Sequence, residues 1–372
     1  MKQFFLIILL TSFYGYGQTN NVFHLGHSLV SPYMPSMVQG LADDTPGVTH
    51  SYNIGVINGA PLFWHWDNSN TCQGYQASAV DSKVELASGA YEVFVMTEGV
   101  PWHTIMPDFL AYADSFQTAA LNGNPSIRTF LYETYNCINT GTPTGCPFDD
   151  RDTIPWTTRI RDEIVEWEEV ADALNNAHPT ANPVYIIPVG QAFANLKDSV
   201  DAGNVPGISN FFTSFFVDDI HPNDFGFYFT ALVHYACIYQ TSPVGLTTQT
   251  YDEWGGTFNA PSASLALKLQ EIAWSTVCEY HRSGVSCSTN SIDELANEKS
   301  NLAIYPNPTN DVVRIETEEE ILSVSIIDML NRERKVDISD DNLVQLGEFN
   351  RECLLLRIET PNHTFVKRVV VN

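Results

Sequence analysis

Strand-like and helix-like segments alternate between residues 22 and 189, and this alternation restricts the fold of the chain more than any other feature. Short runs rich in β-branched and aromatic residues predict strands, and longer runs with apolar residues at helical spacing predict helices. The expected fold is therefore α/β: a parallel sheet covered on both faces, in three α/β/α layers. The predicted strands are 22–25, 91–97, 127–133 and 184–189, and the predicted helices are 29–41, 108–120 and 157–177.

The character of the sequence changes after residue 282. Residues 283–301 are rich in Ser, Asn, Glu and Gly and predict a linker between two domains, 18–282 and 302–372. The second domain contains short segments of alternating polarity, which predict a small all-β sandwich. Its predicted strands are 312–316, 322–327, 354–358 and 365–371.

The N-terminus has the pattern of a signal peptide. Lys2 precedes an apolar run, Phe4 to Leu10, and the small residues Gly15 and Gly17 follow. We expect residues 1–17 to be removed. The apolar run is too short to cross a bilayer, and no later segment reaches the length that a transmembrane span requires. The sequence therefore predicts an exported protein with no transmembrane span.

The formal net charge of −26 argues against nucleic acid as a partner, because neutralising phosphates requires a basic surface. The seven cysteines fit an oxidising compartment. No Cys-x-x-Cys or His-Glu-x-x-His spacing occurs, so we expect no metal, and no nucleotide or redox cofactor is implied. Local disulfides are predicted for Cys137 with Cys146 and for Cys278 with Cys287, a buried thiol for Cys237, and no pairing for Cys72 or Cys353.

Two short segments about 190 residues apart contain the residue types of acyl-transfer catalysis. In 26–29, Gly-His-Ser-Leu, Ser28 directly follows a predicted strand. In 218–222, Asp-Asp-Ile-His-Pro, Asp218 stands three residues before His221 and could orient its imidazole. This pattern predicts Ser28 as nucleophile, His221 as base and Asp218 as orienter. The structural alternatives are a helix N-cap for Ser28 and an Asx turn for Asp218.

These segments resemble conserved blocks of the SGNH (GDSL-like) hydrolases, and the resemblance covers residues 22–282. Gly26, Ser28 and Leu29 match the first block, and Asp218 with His221 matches the last. The resemblance implies ester hydrolysis through a catalytic Ser, His and Asp. It also implies an oxyanion hole formed by the backbone N–H groups of Ser28 and of Gly59, which lies in a segment similar to the second block.

The third block of that family, Gly-x-Asn-Asp, is missing. Thr97-Glu98-Gly99-Val100-Pro101-Trp102 stands at the corresponding strand end, so no Asn side chain is available there for the oxyanion. Glu98 and Trp102 are candidate substrate-binding residues, as is Glu133 at the end of the next predicted strand. Two carboxylates at strand ends also fit a glycosidase, a weaker interpretation beside a complete Ser, His and Asp set. Aromatic residues that could stack on sugar rings are Trp64, Trp66, Trp102, Tyr132, Tyr135 and Trp156.

The C-terminal segment resembles the sorting domain of the type IX secretion system. The similar stretches are 304–309 (Ile-Tyr-Pro-Asn-Pro-Thr), 324–328 and the final strand 366–371, whereas 351–353 departs from the usual Gly-x-Tyr-like element. The resemblance implies recognition by the type IX machinery and export across the outer membrane. The alternative is a carbohydrate-binding or spacer module.

Together these features predict a secreted serine esterase, with O-acetyl groups of a polysaccharide as the expected substrate. A lipase or short-chain esterase is the alternative within the same class. A surface carbohydrate-binding protein on an inactive hydrolase scaffold is the alternative outside it, because the third block is missing.

Overall fold

The computed structural model describes residues 18–75, 78–100, 106–146 and 153–287, and in the C-terminal region 302–307, 309, 311–317, 319–327, 333–339, 341–347, 349, 353–361 and 364–371. The chain divides into two compact units, residues 1–286 and 287–372. The predicted signal peptide, most of the predicted linker and Trp102 lie outside the described residues.

The first unit is built on a seven-stranded sheet in the order β4-β3-β2-β1-β5-β6-β7. Five strands, β2-β1-β5-β6-β7, run parallel, and β3 and β4 form a short antiparallel edge. The strands are β1 Gln18–Gly26, β2 Val48–Val56, β3 Cys72–Gln73, β4 Ala79–Val80, β5 Val93–Met96, β6 Arg128–Glu133 and β7 Tyr185–Pro188. The helices are α1 Tyr33–Asp43, α2 Leu62–Asp67, α3 Ser82–Ala87, α4 Met106–Gly123, α5 Trp156–Ala177, α6 Val189–Asp201, α7 Phe211–Phe215, α8 Asp224–Tyr239 and α9 Ala263–Glu279.

Helices cover both faces of this sheet. Successive side chains of a strand point to opposite faces, and Val22 of β1 joins the core formed with α1, α6, α8 and α9. Its neighbour Phe23 joins the separate core formed with α4 and α5. The predicted three-layer α/β/α architecture is therefore confirmed, and the parallel strands place the loops after β1 and β5 at one edge of the sheet.

The largest error of the sequence prediction is β2, which the prediction omitted. Its sequence contains Thr49, His50, Ser51, Asn53 and Gly55, so it lacks the apolar run by which the other parallel strands were predicted. Backbone pairing along the whole of β1 holds it in the sheet instead.

The second unit consists of two antiparallel sheets, in the orders β11-β10-β13-β14 and β12-β9-β8. Apolar side chains from both sheets, such as Val313 and Ile326, share one core, so the predicted small all-β domain is confirmed. Its strands are β8 Ala303–Tyr305, β9 Val312–Glu316, β10 Ser323–Ile327, β11 Glu333–Val336, β12 Leu343–Gln345, β13 Cys353–Glu359 and β14 Thr364–Val370.

The cysteines agree in part with the prediction. Cys278 and Cys287 are both disulfide-bonded. Cys237 is buried in α8, and burial raises the pKa of its thiol. Cys137 and Cys146 are both buried, and their pairing stays a prediction. Among the helices in the described part of the chain, none is both long enough and apolar enough to cross a membrane.

Candidate active site

Ser28 lies in a tight turn between β1 and α1. The His27 carbonyl accepts hydrogen bonds from the amides of Val30 and Ser31, so α1 begins four residues later than the predicted helix. Gly26 makes this turn possible, because a Cβ atom there would come within 2.5 Å of a Thr97 side-chain carbon. The hydroxyl of Ser28 consequently lies at the end of β1, where a cleft can form above the sheet.

His221 lies in a loop that is fixed at both ends. The Val217 amide donates to the His221 carbonyl (2.9 Å), and Phe216 pairs with Pro222 in an antiparallel bridge. Asn223 caps α8 by accepting the amides of Phe225 and Gly226. The loop therefore holds the imidazole in place by backbone pairing on one side and by a capped helix on the other.

The structure brings Ser28, His221 and Asp218 together. Ser28 Oγ lies 2.9 Å from His221 Nε2, and His221 Nδ1 lies 2.7 Å from Asp218 Oδ2. A carboxylate oxygen only accepts, so Nδ1 carries the proton and Nε2 is left to accept from the Ser28 hydroxyl. A hydrogen-bonded path therefore runs from the hydroxyl through the imidazole to the carboxylate.

The local backbone holds Asp218 in its charged form. Its Oδ1 accepts the amides of His221 (2.7 Å) and Ile220 (2.9 Å). Partial burial acts to raise the pKa of Asp218, but these two amides and the imidazole outweigh it and keep that pKa below its usual value. The main-chain carbonyl of the adjacent Asp219 accepts a hydrogen bond from the Ile138 amide (2.8 Å).

Two cavities meet at Ser28 and His221. The larger has a volume of 640 Å³ and a mixed lining, with apolar side chains such as Tyr33 and Phe227 beside the polar Gln73. The smaller has a volume of 570 Å³ and contains Gly59. Asn58 lines both cavities. An ester bound at Ser28 therefore has room on either side of its carbonyl.

Three donors on residues that line the smaller cavity have no acceptor within the described part of the chain. They are the amides of Ser28 and Gly59 and the exposed side-chain amide of Asn58. Gly59 has a φ of +71°, which favours glycine. The sequence analysis predicted the first two donors and missed Asn58, although it lies in the segment that resembles the second block.

Glu98 does not contact the cavities, contrary to the substrate-binding role predicted for it. Its side chain is fully buried, and Oε1 accepts the amides of Leu62 (2.9 Å) and Gly99 (2.6 Å). Its main-chain carbonyl accepts from His27 Nε2 (2.8 Å). Burial raises the pKa of Glu98 to about 8 and lowers the pKa of His27 to about 4. Glu98 thus links the turn that holds Ser28 to the helix that follows Gly59.

Glu133 is also placed away from the substrate. It is buried, and its carboxyl accepts the main-chain (3.1 Å) and side-chain (3.1 Å) amides of Gln191 in the first turn of α6. Burial raises the pKa of Glu133 to about 8. Glu133 therefore caps the start of α6 and does not occupy the substrate-binding position predicted for it.

The aromatic residues singled out for sugar stacking are mostly part of the core. Tyr132, Tyr135 and Trp156 are buried, and Trp66 packs against Phe116. Trp64 is exposed on α2, outside both cavities. Apolar packing therefore explains four of the six positions, Trp66, Tyr132, Tyr135 and Trp156.

The buried titratable groups predict how the stability of the first unit depends on pH. Five buried histidines have lowered pKa values, because burial disfavours the charged ring. Below pH 6.5 these histidines bind protons in the unfolded chain but stay neutral in the folded chain. The stability of the folded state therefore falls as pH decreases below 6.5. Glu98 and Glu133 have pKa values raised from 4.5 to about 8, so their contribution to stability is lost as pH rises from 4.5 to 8. Below pH 6.5 the opposite effect of the five histidines outweighs this loss, and above pH 6.5 the two glutamates dominate. The histidines are His24, His27, His50, His65 and His234.

We therefore expect the free energy of unfolding to be greatest near pH 6.5. Above pH 6.5, each of the two buried glutamates should lower it by about 1.4 kcal/mol per pH unit. All seven Trp residues lie in the first unit, so Trp fluorescence during urea unfolding reports on that unit alone. Glu133→Gln should halve the alkaline slope, and Glu271→Gln, at a half-exposed position, should not change it. Stability that increases from pH 6.5 to 8 would contradict this account.

Comparison with known families identifies the second domain. Residues 303–372 match the family described as the secretion system C-terminal sorting domain. The C-terminal domain is therefore a sorting domain, as its sequence predicted, and the protein is exported to the cell surface or released.

Solved structures are similar to the first unit in fold. A DUF4886 family protein from Bacteroides uniformis is 13% identical, with 70% of this chain and 96% of that chain covered and a TM-score of 0.47. A member of the lipolytic protein G-D-S-L family from Veillonella parvula is 14% identical, with 58% and 95% covered and a TM-score of 0.30. No curated protein sequence matches this chain.

Proposed function

We propose that this exported protein is a serine esterase with Ser28 as nucleophile. The observation that supports this most directly is the hydrogen-bonded path from Ser28 through His221 to Asp218, with distances of 2.9 and 2.7 Å, at the junction of two cavities. A helix cap or an Asx turn would explain Ser28 or Asp218 singly, but neither requires the imidazole to lie between them.

In the proposed reaction, Ser28 Oγ attacks the ester carbonyl carbon while its proton passes to His221 Nε2. Asp218 stabilises the resulting imidazolium. When the tetrahedral intermediate collapses, the alcohol leaves with the proton from Nε2, and the acyl group stays on Ser28. Water then attacks the acyl carbonyl, gives its proton to His221, and releases the carboxylic acid as the proton returns to Ser28.

The three donors without acceptors supply the oxyanion hole in this proposal. The amides of Ser28 and Gly59 and the side-chain amide of Asn58 border the same cavity. Negative charge develops on the carbonyl oxygen in the transition state, and fixed donors stabilise it. Asn58 would thus replace the Asn of the missing third block as a donor to the oxyanion. Glu98 would fix the turn with Ser28 relative to the segment with Gly59 without contacting substrate.

We propose O-acetyl groups of a polysaccharide as the substrate. Export places the enzyme where polymers too large for uptake are found, and the cavities offer far more volume than an acetyl group fills. The larger cavity has aromatic side chains such as Tyr33 beside the amides of Gln73 and Asn259, a combination that can stack on a sugar ring and bond its hydroxyls.

The test is acetate release from acetylated xylan and hydrolysis of 4-nitrophenyl acetate by the exported protein, with a fluorophosphonate probe mapped by mass spectrometry. Turnover together with a probe adduct on Ser28 is the expected result. Turnover of 4-nitrophenyl acetate alone would keep the esterase and reject the acetylated polymer. No turnover and no adduct would reject the esterase and favour a non-catalytic carbohydrate-binding protein.

Replacing Asn58 with Ala is expected to reduce kcat for 4-nitrophenyl acetate by about 10²- to 10³-fold with little change in KM, because the donor acts on charge present only in the transition state. Gln73→Ala is the matched control, since Gln73 lines only the larger cavity and should leave kcat unchanged. If both variants keep full kcat, Asn58 is not an oxyanion donor.

A further inference from the structure

Tyr33 lines the larger cavity, and three further exposed aromatic side chains lie on segments next to residues of the cavity wall. We infer that Tyr33, Tyr75, Tyr251 and Trp254, called here the aromatic rim, bind sugar rings of a neutral polysaccharide next to the acylated residue. This inference rests on the proposed function and adds to it a binding surface for the polymer chain.

The members of the aromatic rim are unusually accessible for their size. Trp254 is 63% exposed, Tyr251 52% and Tyr33 40%. The large aromatic residues of the core, by contrast, are almost fully buried. Large side chains held in water at a cavity mouth gain apolar contact only when a ligand covers them.

Backbone and side-chain bonds hold the loop that presents Tyr251 and Trp254. Asp252 Oδ1 accepts the amides of Trp254 (2.9 Å) and Gly256 (2.6 Å), and Tyr251 pairs with Thr257 in an antiparallel bridge. Gly255 supplies a φ of +86° at the turn. The loop therefore presents the indole on a preorganised backbone, which lowers the entropic cost of binding.

Contacts of neighbouring residues connect the loop that carries Tyr251 and Trp254 to the cavity that contains Ser28. Tyr33 lines this cavity, and its ring lies 5.3 Å from that of Phe258, next to the bridge that holds Tyr251. Asn259 also lines the cavity, and it donates twice to Asp224 (2.8 and 2.7 Å) at the start of α8. These contacts tie the loop to the cavity wall.

The remaining member of the aromatic rim, Tyr75, comes shortly after β3 in the sequence. Gln73 lines the cavity, and two residues later Tyr75 packs edge-on against Tyr52 at 4.9 Å. Burial raises the pKa of Tyr52, and nearby Tyr75 and the Glu253 carboxylate raise it further. Tyr52 therefore lies near both Tyr75 and the loop that contains Glu253 and Trp254.

The chemistry of the aromatic rim favours a neutral sugar polymer. Aromatic faces stack on the C–H faces of sugar rings, while carboxylates and amides accept or donate to hydroxyls. Residues 241–259 contain Asp252 and Glu253 and no Lys or Arg, and the net charge of the whole chain is −26. Anionic polysaccharides and anionic lipid surfaces would be repelled.

The experiment compares the full chain with Trp254→Ala and Tyr251→Ala on acetylated xylan and on 4-nitrophenyl acetate. We expect KM for the polymer to rise about tenfold, or roughly 1.4 kcal/mol, with kcat and small-ester turnover unchanged. Trp64→Ala is the matched control, since this indole is 49% exposed but lies outside both cavities. Unchanged KM in both rim variants would overturn the inference.

Failure of the proposed function can be told apart from failure of this inference. Wild-type turnover of 4-nitrophenyl acetate without acetate release from the polymer would overturn the sugar surface and keep the esterase. If the wild type hydrolyses neither substrate, affinity electrophoresis in gels that contain deacetylated xylan tests whether the aromatic rim binds the polymer. The inference is supported if xylan slows the wild type and Trp64→Ala but not Trp254→Ala. It is overturned if all three proteins migrate equally.

Discussion

Replacing Ser28 with Ala is expected to lower kcat for 4-nitrophenyl acetate by about six orders of magnitude and to abolish labelling by a fluorophosphonate. The alanine variant has no oxygen within reach of His221 Nε2, so no acyl-enzyme can form. Residual hydrolysis would come only from the oxyanion donors acting on bound water. The loss of kcat is measured by following 4-nitrophenyl acetate hydrolysis by the purified variant in a spectrophotometer or by rapid quench. The sample is first treated with the fluorophosphonate, which inactivates traces of contaminating esterases.

The chain offers a matched serine three residues further on. Ser31 lines the same cavity, but its hydroxyl accepts from the Tyr33 amide (3.4 Å), and the hydroxyl that meets His221 belongs to Ser28. Ser31→Ala should therefore keep turnover within about twofold, since the hydrogen bond it removes is long and does not involve His221. Equal losses in both variants would point to a disturbed turn, and full activity of Ser28→Ala would reject the nucleophile.

The sequence was sufficient to predict which residues form the candidate catalytic set, because their spacing encodes local geometry. Asp218 and His221 are three residues apart on one loop, and Ser28 follows a strand whose composition is unambiguous. The layered fold followed from the alternation of strands and helices. The structure brings these three side chains together although Ser28 and His221 are 193 positions apart in the sequence.

The supporting groups could not be predicted, because their roles depend on contacts between distant segments. Glu133 ends β6 and Glu98 follows the end of β5 by two residues, yet each carboxyl turns into the protein and accepts an amide at the start of a helix, that of Leu62 or that of Gln191. A strand end specifies the edge of the sheet but not the direction of a side chain. The exposed Trp254 gave no signal in sequence, since nothing local distinguishes an exposed indole from a buried one.

Replacing Asp218 with Asn is expected to lower kcat by about 10⁴-fold by reversing the tautomer of His221. The side-chain oxygen of Asn must stay where Oδ1 accepts the amides of Ile220 and His221, so its NH₂ group would face Nδ1 and donate to it. Nε2 would then carry the proton and could no longer accept from Ser28. Asp219→Asn should retain wild-type kcat, because residue 219 bonds through its main-chain carbonyl. Comparable losses in the two variants would show that charge near the site, and not the orientation of the imidazole, supports the reaction.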